Sequence, residues 1–206
     1  GCVVSYEPLY GLLRRRMETY RSDTERQPDI TLDGTKEDYE KLRKQYPHLS
    51  IEECEYSCAG AEFYMKLLKH QGFMIHASAV EKEGKAYLFS APSGTGKSTH
   101  AQLWRQTFKG EPIRIINDDK PAVCLQNGVF YACGTPFSGK TDKNENRKAP
   151  IQGLCMLHRG KTNKIQKITS GEALPLILPQ TLFYGDEEET NLLLSFLDRF
   201  LQSVPV

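Results

Sequence analysis

The residues Ser90-Ala91-Pro92-Ser93-Gly94-Thr95-Gly96-Lys97-Ser98-Thr99 lie between an apolar run, 85–89, and a stretch of helical spacing, 100–108. From Ala91 to Ser98 they fit the phosphate-loop (P-loop) pattern G-x-x-x-x-G-K-[ST], with Ala91 in place of the first glycine. Gly94 and Gly96 lack a Cβ, so they can take positive φ and let backbone N–H groups converge on phosphate oxygens. The helix that starts near Lys97 aims the positive end of its dipole at the same spot. The Lys97 ammonium can bridge β- and γ-phosphates, the Ser98 hydroxyl can ligate Mg2+, and Thr99 is placed for an α-phosphate oxygen. Ser93, Gly94, Thr95, Gly96, Lys97, Ser98 and Thr99 are therefore the expected nucleotide-binding residues, with ATP and Mg2+ as cofactors. A flexible Gly/Ser loop is the competing interpretation; a strand before and a helix after favour the phosphate loop.

Working outward, residues 73–80 are apolar and Glu81-Lys82-Glu83-Gly84 reads as a turn. With 85–89 they predict a β-hairpin whose second strand feeds the loop. Downstream, 113–116 is a short β-branched strand ending at Asn117-Asp118-Asp119. A strand that follows such a helix tends to end beside the loop, which brings Asp118 and Asp119 toward Lys97 and Ser98. Two carboxylates there suit two jobs, ligating magnesium and accepting a proton from an attacking hydroxyl. An Asx turn at a strand end is the plainer alternative. His76, on the first strand of the hairpin, is expected near the γ-phosphate, where it can orient or tune Asp118. Beyond these, 122–125 and 129–133 flank Asn127-Gly128, a strong two-residue hairpin signal. Residues 151–157 and 164–168 read as two more strands, and 174–182 and 190–202 as helices.

The first 70 residues form an irregular front section, and 71–206 the P-loop domain. Within the front section Thr35 and Ser50 mark helix starts, Ser50 with the capping-box spacing to Glu53. One buried helix is expected from there to about Leu68, while Arg14-Arg15-Arg16 reads as a solvated face. The chain has 206 residues, a formal net charge of +1 and 39% hydrophobic residues, an ordinary globular balance with no bias toward nucleic acid or anionic membrane. No stretch approaches the roughly 18 apolar residues that span a bilayer. The start, Gly1-Cys2-Val3-Val4, lacks the regions of a secretory signal and lacks Met, so it reads as trimmed. Six scattered cysteines form no disulfide scaffold, and free thiols fit a cytoplasmic compartment.

Taken in order, His76-Ala77-Ser78-Ala79, a hairpin, Ser93-Gly94-Thr95-Gly96-Lys97-Ser98 and Asp118-Asp119 resemble the catalytic domain of HPr kinase/phosphorylase and the nucleotide-binding core of ATP-dependent phosphoenolpyruvate carboxykinase. The stretches Asn117-Asp118-Asp119-Lys120-Pro121 and Gly134-Thr135-Pro136-Phe137-Ser138-Gly139-Lys140 look like small HPr-kinase-like proteins of bacteria. The resemblance spans about 72–168 and implies an α/β fold with a mixed β-sheet and the P-loop at its edge. It implies a kinase that transfers the γ-phosphoryl group of ATP to a hydroxyl, serine in a peptide or free serine. Asp118 then acts as base with His76 as its partner, and Asp119 ligates the metal beside Ser98. The loop 134–148 covers the site, and Lys140 and Arg147 offset charge on the transferring group. The expected partners are a nucleotide and a hydroxyl-bearing acceptor, with no nucleic acid and no membrane; the resemblance also suggests a homo-oligomer. Two rivals are a nucleotide-binding regulator without chemistry and a phosphorylase or phosphatase running the reverse reaction. The glycine- and isoleucine-rich segment of true HPr kinases is missing, and Gly134-Thr135-Pro136-Phe137 stands in its place.

Overall fold

The computed structural model describes residues 2–182 and 185–206; Gly1, Phe183 and Tyr184, the last two from the 180–190 loop expected to shape the acceptor pocket, lie outside them. In the front section two short strands, β1 (Val4–Ser5) and β2 (Ile30–Thr31), pair in parallel, and three helices follow the chain: α1 (Gly11–Met17), α2 (Lys36–Gln45) and α3 (Ile51–Leu67). Capping boxes start α2 and α3. The Thr35 and Ser50 hydroxyls accept from the backbone of Asp38 and Glu53, whose carboxylates accept the cap N–H in return.

The expected strand 73–80 is two strands, β3 (Gly72–Met74) and β4 (Ala77–Lys82). Between them Ile75 N donates to Pro121 O and His76 N to Gln180 O (2.7 Å), so the chain steps from one neighbour to another. The hairpin is β4 with β5 (Lys85–Ser90), turned at Glu83 and Gly84 with φ of 52° and 74°. Then come α4 (Lys97–Thr107), β6 (Arg114–Asn117), β7 (Ala122–Gln126), β8 (Val129–Cys133) and β9 (Lys148–Met156). Asn127 and Gly128, both at positive φ, close the β7–β8 hairpin in the way its twist favours. Residues 164–168 form no strand. Ile165 is exposed, and Ile168 N donates to Val206 O near the chain end.

Among the described residues seven strands make one mixed sheet, in the order β3-β7-β8-β9-β5-β4-β6. Hence β5, which feeds the glycine loop, is interior and not at the edge, because β9 returns to pair with it in parallel. The outer edge of β6 is also occupied: Asp118 N donates to Lys143 O and Glu145 N to Ile116 O (both 3.0 Å). The same segment reaches the end of β8 through Gly134 N to Arg147 O (2.9 Å), so the sheet curls. Two C-terminal helices, α5 (Ser170–Ile177) and α6 (Glu187–Ser203), bury Ile177, Leu193, Leu197 and Phe200 against Phe73, Leu88, Val123 and Phe130. Each such side chain contributes roughly 1.5–3 kcal/mol. On α4, Ala101 and Trp104 pack on Val80 and Phe89. Front-section residues Leu13, Ile30 and Leu32 share a cluster with Tyr64, Met74, Ala122 and Phe137. No helix among the described residues is long and apolar enough to cross a membrane.

Candidate functional site

Strand directions bring the expected residues together. β4 runs antiparallel to both β5 and β6, and β9 runs parallel to β5. The start of β4 and the ends of β5, β6 and β9 therefore share one end of the sheet. His76 precedes β4, the glycine loop follows β5, Asp118 and Asp119 follow β6, and Arg159 comes three residues after β9.

The loop has open space before it. Gly94 (φ 77°) and Gly96 (φ 120°) hold conformations that L side chains rarely take, and a Cβ on either meets no atom within 4 Å. Gly96 directly precedes α4, whose first N–H groups lack helical partners. Lys97 is only 7% exposed, and its ammonium donates to Ala91 O (2.9 Å) and Pro92 O (3.5 Å). Burial lowers its pKa, while Asp119 and Asp118 act the other way by favouring the charge. Thr95 and Ser98 are half-buried, and Ser93 and Thr99 exposed, along the loop and the first turn of α4.

The two carboxylates have separate partners. Asp118, 3% exposed, accepts from Ser78 Oγ at Oδ1 (2.7 Å) and from Thr141 Oγ1 at Oδ2 (3.0 Å). Asp119 is half-buried, with Oδ1 3.3 Å from His76 Nε2 and Oδ2 on the Lys120 ammonium. His76 is thus a neighbour of Asp119 and not of Asp118, and the pairing expected from the resemblance is exchanged. Its other ring nitrogen, Nδ1, is 3.2 Å from Gln180 Oε1. Burial alone raises the Asp119 pKa, but the His76 hydrogen bond and the Lys120 ammonium outweigh it and hold the carboxyl at about 2. Asn117 shapes this turn: its Oδ1 accepts from Asp119 N (2.9 Å) and Lys120 N (2.8 Å), while Nδ2 donates to Thr135 O and Oγ1 (both 3.1 Å). An Asx turn and a clustered pair of carboxylates are present together.

The loop 134–148 does lie over the carboxylates. Gly139, at φ 68°, sits so close that a Cβ on it meets Asp119 Cγ at 2.8 Å. Lys140 follows it in the short turn Gly139–Thr141, with an exposed side chain. Arg147 is not brought to the site. Its Nε donates to Glu81 Oε2 (2.7 Å), four residues along β4 from Ala77 and so about 13 Å away.

The front section holds this loop. Arg16 Nη2 donates to Gly139 O (2.8 Å), Arg16 Nε lies 3.3 Å from Asp142 Oδ1, and the guanidinium covers the Tyr56 ring. Tyr56 Oη accepts from Gly139 N, and Tyr20 Oη donates to Asn144 Oδ1 (2.6 Å). Arg16 is 11% exposed, so the basic run 14–16 is not all solvated face.

Sequence reasoning missed Ser78, Thr141, Gln180, Arg16 and Arg159, whose Nη2 donates to Gly94 O (2.6 Å). Ser78 left a signal, as a polar residue in an otherwise apolar strand start. The others depend on loop paths that no local pattern encodes. Magnesium held through substrate phosphates needs one or two protein ligands, and Ser98 with an ionised Asp119 supplies that donor chemistry. Among the described residues no group of three or more His, Cys, Asp or Glu is arranged to hold an ion by itself.

No family model and no curated protein matches this chain. Among solved structures, the HPr(Ser) kinase/phosphatase from Coxiella burnetii is similar at a TM-score of 0.35 and 13% identity, over 61% of this chain and 93% of that one. A likeness that loose bears no functional weight, which rests on the geometry above.

Proposed function

We propose that the chain is an ATP- and Mg2+-dependent phosphotransferase that moves the γ-phosphoryl group to an acceptor hydroxyl, in a serine peptide or free serine. The observation that carries this reading is one sheet end where a glycine loop with a buried lysine meets two carboxylates held by different partners. The loop amides and Lys97 would fix the triphosphate, and placement with electrostatics would supply most of the acceleration. Bound magnesium would neutralise charge on the β- and γ-phosphate oxygens. Asp119, kept ionised by His76 and Lys120, suits that cation together with Ser98. Asp118 would accept the proton, and the Thr141 hydroxyl at its Oδ2 marks a position from which a hydroxyl reaches it. The acceptor oxygen–phosphorus bond would form as the bond from Pγ to the β–γ bridging oxygen breaks, releasing ADP. Arg159, on the loop backbone, takes over the charge-offsetting role expected of Arg147. Residues 71–206 would carry the chemistry, with 1–70 bracing the loop above it.

The test is transfer from [γ-32P]ATP to serine, serine peptides and cell extract, comparing wild type with Asp118→Asn. The variant should keep nucleotide affinity within about tenfold and lose at least ~10² in turnover, the scale of a removed general base. Equal turnover removes Asp118 from its role, and no calorimetric heat from ATP with Mg2+ overturns the reading as a whole.

A further inference from the structure

Beside the site a cleft of about 200 Å3 runs between the second half of α4, the start of β6 and the segment 142–145. Arg105, Ile113, Arg114 and Lys143 line it together with Asp142 and Glu145. Both carboxylates are engaged: Asp142 lies 3.3 Å from Arg16, and Glu145 lies 3.3 Å from Arg114. Arg105 and Lys143 are exposed and have no acidic partner among the described residues, so the cleft presents two uncompensated cations.

Its placement ties it to the chemistry. Lys143 O accepts from Asp118 N, so one end of the cleft adjoins the main chain that carries the buried carboxylate. At the other end, Ser98, Gln102 and Arg105 recur at i, i+4 and i+7 on one face of α4. Gln102 Nε2, on that face, is buried and has no hydrogen-bond acceptor among the described residues. Arg105 is eight residues from Lys97, about 12 Å along the helix. An extended peptide covers that span in three or four residues at about 3.4 Å each.

We propose that this cleft is the acceptor groove and takes a peptide with a carboxylate side chain three or four residues from the phosphorylated hydroxyl, the carboxylate meeting Arg105 and Lys143. The proposal rests on the phosphotransferase reading for the hydroxyl's fate, while recognition of the acidic side chain is separable from it. Matching charges at the cleft rim fix register and discriminate partners more than they add raw affinity.

The experiment uses the full chain and serine-centred peptides, acetylated and amidated so that only side chains carry charge. Glu or Gln is fixed at each position up to four residues either side, the rest being degenerate. Fluorescence anisotropy reads binding and [γ-32P]ATP reads transfer. Glu at the third or fourth position on one side should bind about fivefold or more tighter than Gln, the scale of two exposed charge pairs. Arg105→Glu with Lys143→Glu should erase or reverse that preference while ATP binding holds, and Lys109→Glu, outside the cleft in the turn after α4, should leave it. Equal binding of Glu and Gln peptides at every position overturns the groove, as does a preference that survives the double reversal. Transfer without acidic preference sinks the groove and leaves the kinase; acidic preference without transfer supports the groove and sinks the kinase.

Discussion

Replacing Asp119 by Asn should cost stability in a pH-dependent way, because its ionised form is favoured more in the folded protein than in the unfolded chain. The pKa falls from 3.8 to about 2; burial pushes upward, and the His76 hydrogen bond and the Lys120 ammonium overcome it. At about 1.4 kcal/mol per unit, a shift of nearly two units corresponds to about 2 kcal/mol. The side chain is 24% exposed, so solvent trims this figure without erasing it. A depressed carboxyl contributes stability above its unfolded value and loses it as pH falls through the folded value. Here the window runs from about pH 4 down to about pH 2. The difference in unfolding free energy between wild type and Asp119→Asn should be full at about pH 6, roughly half at about pH 3, and closing below about pH 2. Urea unfolding of both proteins across that range measures it, and taking the difference cancels the other carboxylates. A gap that stays constant from neutral pH to about pH 3 would show that His76 and Lys120 do not hold this carboxylate ionised. It would also remove the ground for pairing Asp119 with magnesium. A second readout is the Mg2+ concentration that supports ATP binding, which should rise in the variant.

Three further substitutions separate the parts of the site. Lys97→Ala should weaken ATP binding by about 10- to 100-fold, the loss of one charge-assisted hydrogen bond to phosphate, as isothermal titration would show. Arg159→Ala should lower turnover about tenfold or more while Arg147→Ala leaves it nearly unchanged, because only the first guanidinium touches the glycine loop; kcat from steady-state kinetics decides. Arg16→Ala should destabilise the protein by about 1.5–3 kcal/mol in urea unfolding through its lost bond to Gly139 O, and the Gly139–Thr141 turn should become more accessible to protease.

What the sequence made legible was whatever short-range chemistry encodes. The helix start at Thr35, the capping box at Ser50, the turn at Asn127-Gly128 and the glycine loop before α4 are each set by residues within a few positions of one another, and each is present. The carboxylates at the end of β6 were predictable one level higher, because a strand after the helix returns to the same end of the sheet. Partner choice at the site was not. Whether His76 faces Asp118 or Asp119 depends on the step between β3 and β4, where His76 leaves the ladder and its backbone is taken by Gln180, 104 residues on. The alternation of one strand cannot report that step, since residues 73–80 read as one mainly apolar run with no turn residue to mark the break. Arg147 was misplaced for a related reason. A cation in a loop of glycines and lysines reads as phosphate-facing, yet Glu81, 66 residues earlier, captures it once β9 begins. The front section shows the same limit from the other side. Arg16 looks like part of a solvated basic run, and only the curl that carries residues 138–146 back over α1 and α3 turns it into the brace of the loop above Asp119. Main-chain geometry thus sets the path of the glycine loop, while long-range side-chain pairing sets which carboxylate each neighbour serves, and the proposed mechanism depends on the second.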